Sequence, residues 1–308
     1  MVEFIKNVSD VERFCQNQDQ NVSYFFTSNL PEICKKEPCI FGIDEAGRGP
    51  VLGPMVYGIC YCPKSKQNLL EESGCADSKT LTEQKREEIF EKLCEKDEDI
   101  KWEVKVISPT DISNCMLRRQ KYSLNEISHS SAIGLLQKAI DEGANITDVF
   151  VDTVGPADKY QAKLQEIFPH LNVTVANKAD SKYPIVGAAS ICAKVIRDIC
   201  LRVWKYPEIK EDEKIVCGSG YPGDPDTKKF LTKYMDPVFG FPSVVRFSWA
   251  TASKILEESA ITVEWEEVED EKTKGIKSVK SFFSKVDDKS KERFRYFKER
   301  GLTNCTEF

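Results

Sequence analysis

Two short apolar runs in this chain each stop at a carboxylate followed by glycine punctuation, and this pattern constrains the fold more than any other feature. The first run, Cys39, Ile40, Phe41 and Ile43, has the length and side chains of a buried strand. It meets Asp44 and Glu45 and then the turn Ala46-Gly47-Arg48-Gly49-Pro50. The second run, Val149 to Val151, stops at Asp152, with Gly155 and Pro156 close behind. Asp152 therefore repeats the position of Asp44 at a strand end. A carboxylate there is poorly suited to a core and well suited to holding a hard divalent cation through oxygen. Gly47 and Gly49 leave the backbone bare on both sides of Arg48, so another backbone can approach while the guanidinium grips a phosphate. Alone, Asp-Glu-Ala-Gly also reads as a turn beside a surface Arg. The recurrence of acids in similar settings favours a metal beside a phosphate grip.

A third strand, Val173 to Ala176, leads into Asn177-Lys-Ala-Asp-Ser-Lys-Tyr-Pro184, and Pro184 to Trp204 reads as one long amphipathic helix. Ala188, Cys192, Val195, Ile199 and Val203 keep to one stripe, while Lys194, Arg197 and Arg202 fall elsewhere. Asp180 lies just upstream, where the helix dipole also favours an acid, so a ligand role and a helix-end role both stand. Left empty, Asp44, Glu45, Asp152 and Asp180 would repel one another. Oxygen-only ligation suits Mg²⁺ or Mn²⁺ rather than zinc, and His129, His170 and the cysteines form no matching ligand pattern. Two such ions about 4 Å apart can activate a water and stabilise the leaving oxygen of a phosphodiester.

The strand near 40–44, a strand from Val51 to Cys62 and the alternating run Trp102 to Ile107 predict an antiparallel meander, interrupted by a helix at 82–95. Thr80 and Thr82 compete as caps of that helix, and Ser123-x-x-Glu126 opens a second one. Helices and strands then alternate, which indicates an α/β sheet with helices on its faces. Residues 1–27 are polar and uninformative. Residues 225–258 read as a mostly helical accessory lobe. Beyond Ile261, an acidic and then basic stretch from Glu264 to Gly275 fits a linker, and Phe282, Phe283, Tyr296 and Phe297 after it suggest partner docking. A sliding-clamp peptide there would need Gln where Ile276 stands.

The formal charge of −6 argues against nucleic-acid binding by bulk charge. Basic residues are nevertheless local: Lys178, Lys182, Lys194, Arg197, Arg202 and Lys205 gather in and before the long helix, as a phosphate path or as a solvated face. No apolar run is long enough for a membrane span and the start lacks a signal h-region, so a soluble intracellular protein without membrane partners is expected. The twelve cysteines are scattered through apolar patterns and are expected to be free thiols.

Five segments in order resemble type 2 ribonuclease H: Asp44 to Gly49, Asp77-Ser-Lys-Thr-Leu81, Val151-Asp152, Lys178 to Lys194, and Gly218-Ser-Gly-Tyr-Pro-Gly-Asp-Pro225. Val51 to Tyr57 and Val238 to Pro242 are similar to the eukaryotic catalytic subunits of that family, and the likeness spans roughly residues 28–256. It implies a ribonuclease H-like fold, a mixed central sheet with helices on both faces, plus a small helical lobe from about 225 and a C-terminal extension. The implied organisation is an N-terminal segment 1–27, a catalytic domain 28–260 and a docking extension 261–308.

The resemblance further implies hydrolysis of the RNA strand of RNA/DNA hybrids and cleavage 5′ of single ribonucleotides in duplex DNA. Asp44, Glu45, Asp152 and Asp180 become the catalytic, metal-binding acids for two Mg²⁺ or Mn²⁺ ions. Gly47, Arg48 and Gly49 would grip the ribonucleotide and sense its 2′-hydroxyl, which distinguishes RNA from DNA. Tyr221 would lie against the ribose at the RNA–DNA junction, although a Gly/Pro loop also accommodates a packing Tyr. Lys79, Lys182 and Lys194 would contact substrate. Noncatalytic B and C subunits of a nuclear heterotrimer would be the partners, in ribonucleotide excision repair and replication. A silent hybrid-binding scaffold and another nuclease of the same fold are the alternatives. The intact acids argue against the first, and the Gly-Arg-Gly turn with Tyr221 against the second.

Overall fold

The computed structural model describes residues 5–75, 81–120, 122–210 and 215–262. The N-terminal stretch already contributes structure. Asn7 caps α1 (Val8–Gln16), its side chain accepting the Asp10 amide, and Tyr24–Thr27 forms an edge strand β1. Residues 1–27, uninformative as a sequence, therefore contribute a helix and an edge strand. Four residues show too little period to reveal a strand, and β1 exists because the chain folding over it supplies a partner edge.

After the short helix α2 (Glu32–Lys36) come β2 (Cys39–Ala46) and β3 (Met55–Pro63), then α3 (Asn68–Ser73) and α4 (Glu83–Cys94). The cap of α4 is Thr82, which accepts the Lys85 amide at 3.3 Å; Thr80 lies outside the described residues. Next follow β4 (Lys101–Ile107), α5 (Pro109–Leu117) and α6 (Leu124–Asp141), the last opened by the capping box of Ser123 and Glu126. The remaining elements are β5 (Ile146–Asp152), α7 (Ala157–Ile167), β6 (Asn172–Ala176), α8 (Ala179–Lys182), α9 (Pro184–Arg202), α10 (Pro225–Lys233) and α11 (Ala250–Ser259).

The strands order as β1-β4-β3-β2-β5-β6. The β1 to β4 pairings are antiparallel, and β2–β5 and β5–β6 are parallel, so the sheet is mixed. One face packs on α1, α4 and α9 through Cys60, Trp102, Val104, Phe90 and Ile196; the other packs on α6 and α7 through Phe41, Ile43, Val149, Leu135 and Leu164. Burial on both faces explains why β2 and β3 read as continuous apolar runs without alternation. The predicted strand at Val51 begins only at Met55. Val51 and Leu52 bend out of the sheet, and Leu52 forms a bridge with Val245.

Helix α9 is corrected from amphipathic to almost wholly buried, because it lies between the sheet and helices α1, α3 and α4. It approaches the sheet without side chains intervening: a Cβ on Gly42 would sit 2.4 Å from the Ile185 carbonyl oxygen, and one on Gly58 would sit 2.5 Å from that of Ala189. The region 225–258 is helical only in α10 and α11. The segment between them is turns and bridges, packed as a third apolar cluster of Val51, Leu52, Phe230, Leu231, Val244 and Val245. Met1–Ala260 forms one compact unit, and 261–308 falls outside it. Among the described residues no helix is long and apolar enough to cross a membrane, and the eleven cysteines there are free thiols.

Candidate active site

Parallel pairing of Ile43 with Val151 carries Asp44 and Asp152 to the same end of neighbouring strands. Asp44 is buried, accepts the Glu45 amide at 2.8 Å and is hydrogen-bonded by Ser190 of α9. Burial, together with the charge of Asp152, pushes its pKa up to about 7 against the opposing pull of Ser190 and Lys194. Glu45 is pushed up to about 8 by burial and then by Asp44 and Asp152, with Arg48 opposing. The three carboxylates thus act on one another as a set. Asp152 accepts the Ala179 amide at 2.8 Å, which pins the start of α8 to the end of β5. Asp180, the next residue, is buried there. The turn into α8 is strained: Lys178, with φ of 55°, is the single non-glycine residue in the left-handed region among those described.

Among the described residues no three acidic, His or Cys side chains close into a preformed metal cage. Mg²⁺ is ordinarily held by one or two carboxylates, with water and substrate phosphates filling the other positions. Buried, mutually repelling carboxylates with oxygen-only donors fit such a cation: its charge would offset the burial and the repulsion that raise the pKa values of Asp44 and Glu45.

The Gly-Arg-Gly turn follows β2 directly. Gly47 has φ of +75°, and a Cβ there would sit 2.3 Å from Arg197 Nε. Arg48 donates through Nη2 to the Asn125 side chain of α6, which aims the guanidinium across the turn. A Cβ on Gly49 would sit 3.1 Å from Cε1 of Tyr221, so the tyrosine ring packs on the bare backbone of Gly49 while remaining half exposed. The loop carrying Tyr221 is built tightly. Asp224 caps α10 and accepts the Ser219 hydroxyl and the Ser219 amide, each at 2.6 Å, bonds that pull its carboxyl pKa down to about 2. Gly220 donates to Thr227 Oγ1 at 2.9 Å and accepts from the Val51 amide at 2.8 Å.

The basic residues divide. Lys194 of α9 acts on the Asp44 carboxylate. Lys182 is exposed at the end of α8, and Lys79 lies outside the described residues. Arg202 does not form a phosphate path, because its guanidinium is engaged by Glu12, Glu83 and Glu87. Arg197 is neither solvated nor surface-facing: it lies beneath Gly47, and its Nε and Nη2 are buried without partners among the described residues. Sequence reasoning missed Ser190, Asn125, Arg246 and Trp249. The only signal for Arg246 was a lone Arg inside the apolar stretch Val244-Val-Arg-Phe-Ser-Trp249.

A family model described as Ribonuclease HII matches residues 41–252. A ribonuclease H2 subunit of Bos taurus is 52% identical over 281 residues, covering 91% of this chain and 94% of the relative. The crystal structure of ribonuclease H2 from Pyrococcus horikoshii OT3 superposes with a TM-score of 0.58 at 34% identity, over 71% of this chain and 98% of that one. The structure of Bst-RNase HIII in complex with Mn²⁺ superposes with a TM-score of 0.57 at 18% identity, covering 75% of this chain and 74% of that one, a likeness of fold alone.

Proposed function

The chain belongs to the ribonuclease HII family and is a ribonuclease H hydrolase, and from that premise we propose that it is the catalytic subunit of an enzyme that cleaves 5′ of single ribonucleotides in duplex DNA and hydrolyses the RNA strand of hybrids, leaving 3′-hydroxyl and 5′-phosphate ends. What supports this most is the convergence of two groups: the acids Asp44, Glu45 and Asp152 at the strand ends, and the Gly47–Gly49 turn with Tyr221 packed on it.

Asp44, Glu45, Asp152 and Asp180 would hold two Mg²⁺ or Mn²⁺ ions, which when bound supply a nucleophilic water and charge stabilisation of the leaving oxygen. The residues of the chain then divide the work. Ser190 and the Ala179 amide orient the Asp44 and Asp152 carboxylates. Lys194 offsets negative charge beside Asp44. Arg48, aimed by Asn125, grips a phosphate, and its neighbouring amides meet the ribonucleotide. Tyr221 offers an exposed ring face on which a ribose can rest at the junction with DNA. An isolated 2′-hydroxyl is the group that tells the two sugars apart.

The relatives are themselves subunits of ribonuclease H2, so we assign this chain a place in a heterotrimer with noncatalytic B and C subunits, acting in the nucleus in ribonucleotide excision repair and replication. The deciding experiment is cleavage of duplex DNA containing one ribonucleotide, by the purified chain with and without B and C subunits, in Mg²⁺, in Mn²⁺ and in chelator. Metal-dependent incision 5′ of the ribonucleotide is expected. An assembled complex that cuts continuous hybrid but leaves the single ribonucleotide intact would overturn the substrate assignment.

A further inference from the structure

The carbonyl oxygens of the Gly-Arg-Gly turn are all gathered to one side by the lobe beneath it. Arg246, wholly buried, donates from Nη2 to the Gly47 carbonyl at 2.6 Å, from Nη1 to that of Arg48 at 3.1 Å and from Nε to that of Gly53 at 2.8 Å. Trp249 completes the set: its Nε1–H donates to the Gly49 carbonyl at 3.0 Å, and its ring lies 4.7 Å from the Arg246 guanidinium. The segment is stitched to the turn as a whole, since Arg246 N donates to Val51 O at 2.9 Å and Gly53 N to Val244 O at 2.8 Å.

In a trans peptide the N–H points opposite to the preceding C=O, and no peptide bond of the described residues is cis. Drawing the carbonyls of Gly47 and Arg48 towards Arg246 therefore turns the amides of Arg48 and Gly49 the other way. Among the described residues neither amide has an acceptor. Two consecutive free N–H groups beside a guanidinium form a concavity that suits a phosphate oxygen or a ribose hydroxyl. Only a guanidinium has the forked donors to span three carbonyls at once; an ammonium is a single point charge on a flexible stem.

We infer that Arg246, assisted by Trp249, is a positioning residue for ribonucleotide recognition: it fixes the peptide orientation of the Gly47–Gly49 turn and so the direction of the Arg48 and Gly49 amides. This rests on the reading of that turn as the ribonucleotide grip. Arg246 does not touch substrate and acts wholly through the backbone above it.

The test compares binding rather than cleavage. In a chain silenced by Asp44→Asn, affinity is measured by fluorescence anisotropy for duplex DNA with one ribonucleotide and for the all-DNA duplex of the same sequence. The silenced parent is expected to prefer the ribonucleotide duplex. Arg246→Gln is expected to reduce that preference roughly tenfold, as befits misdirected hydrogen bonds to a polar ligand, with a smaller change in affinity for plain DNA. Arg246→Lys keeps the charge and is expected not to restore the preference. Trp249→Phe keeps an aromatic ring, though a smaller one, and removes the donor to Gly49, and should shift the preference in the same direction by less. Circular dichroism accompanies each variant. Should Arg246→Gln fail to fold, a folded Trp249→Phe with the parent's full preference overturns the inference. Equal losses on both duplexes, or a Lys variant that behaves as the parent, overturn it also. A silenced parent with no preference fails one step earlier, at the reading of the turn, and the inference falls with it.

Discussion

Asp44 lies 5% exposed against Ser190, with Asp152 acting on it from the adjoining strand, a position in which an ionised carboxylate is costly to bury. Asp44→Asn is isosteric and leaves the Glu45 amide an acceptor. Cleavage should be abolished while substrate affinity stays within about tenfold, because phosphate contacts elsewhere position the duplex. Wild-type cleavage by that variant in Mg²⁺ would remove Asp44 from the site. Tyr221 makes its contact with Gly49 through the ring rather than the hydroxyl. Tyr221→Ala should therefore lower activity on a single embedded ribonucleotide more than on a continuous hybrid, and Tyr221→Phe should do so by less. Equal losses on both substrates in a kinetic comparison would leave Tyr221 with a general packing role.

At the scale of elements, α9 sits directly on the backbones of β2 and β3, and the sheet carries the acids only while that approach is kept. In Gly58→Ala the new methyl would meet the Ala189 carbonyl at 2.5 Å and the Ala193 methyl at 3.1 Å. Overpacking of this kind costs about 1–3 kcal/mol, and chemical denaturation should show a loss of that size with an unchanged dependence on denaturant. Strand β4 makes a second prediction. Glu103 is buried and accepts from Lys138, yet burial outweighs that pairing and its pKa is raised. Between the ordinary Glu value and the raised one, the native chain holds a proton that the unfolded chain has released. Stability from this group is therefore fully present at low pH and falls as pH rises through that window. Glu103→Gln does not titrate, so the stability of the wild type relative to the variant should decrease as pH rises above the ordinary Glu value and through the raised one. A difference that stays flat or changes in the opposite direction in urea titrations would remove Glu103 as a source of pH dependence.

For the molecule as a whole, the compact unit Met1–Ala260 contains every described residue of the candidate site. The proposed linker and the docking aromatics Phe282, Phe283, Tyr296 and Phe297 lie outside the described residues. A linker ending in aromatics tethers a partner through a small anchored interface. A chain ending at Ser259 should therefore keep the circular-dichroism spectrum of the catalytic domain and fail to co-purify with B and C subunits. A truncated, folded chain that still assembles normally would sink the docking proposal.

The strand-end acids, the glycines and the antiparallel meander of β2, β3 and β4 were legible in the sequence because each rests on a local rule: apolar runs mark strands, a carboxylate that interrupts one is conspicuous, and capping residues such as Ser123 and Glu126 announce a helix at three residues' distance. The edge strand Tyr24–Thr27, the burial of most of α9 and the sorting of the basic residues were not, because each depends on partners far along the chain. Arg202 reads as a solvated cation until Glu12, Glu83 and Glu87 surround it. Arg246 reads as part of a helix until the bend at Val51–Gly53 presents it with three carbonyls from a segment nearly two hundred residues away. Which side chains offer oxygens to a cation or a guanidinium to a phosphate can be read from residue chemistry alone. Which way the peptides of the Gly47–Gly49 turn face emerges with the fold, since a backbone carbonyl has no side-chain identity and is oriented by whatever donor packing brings to it.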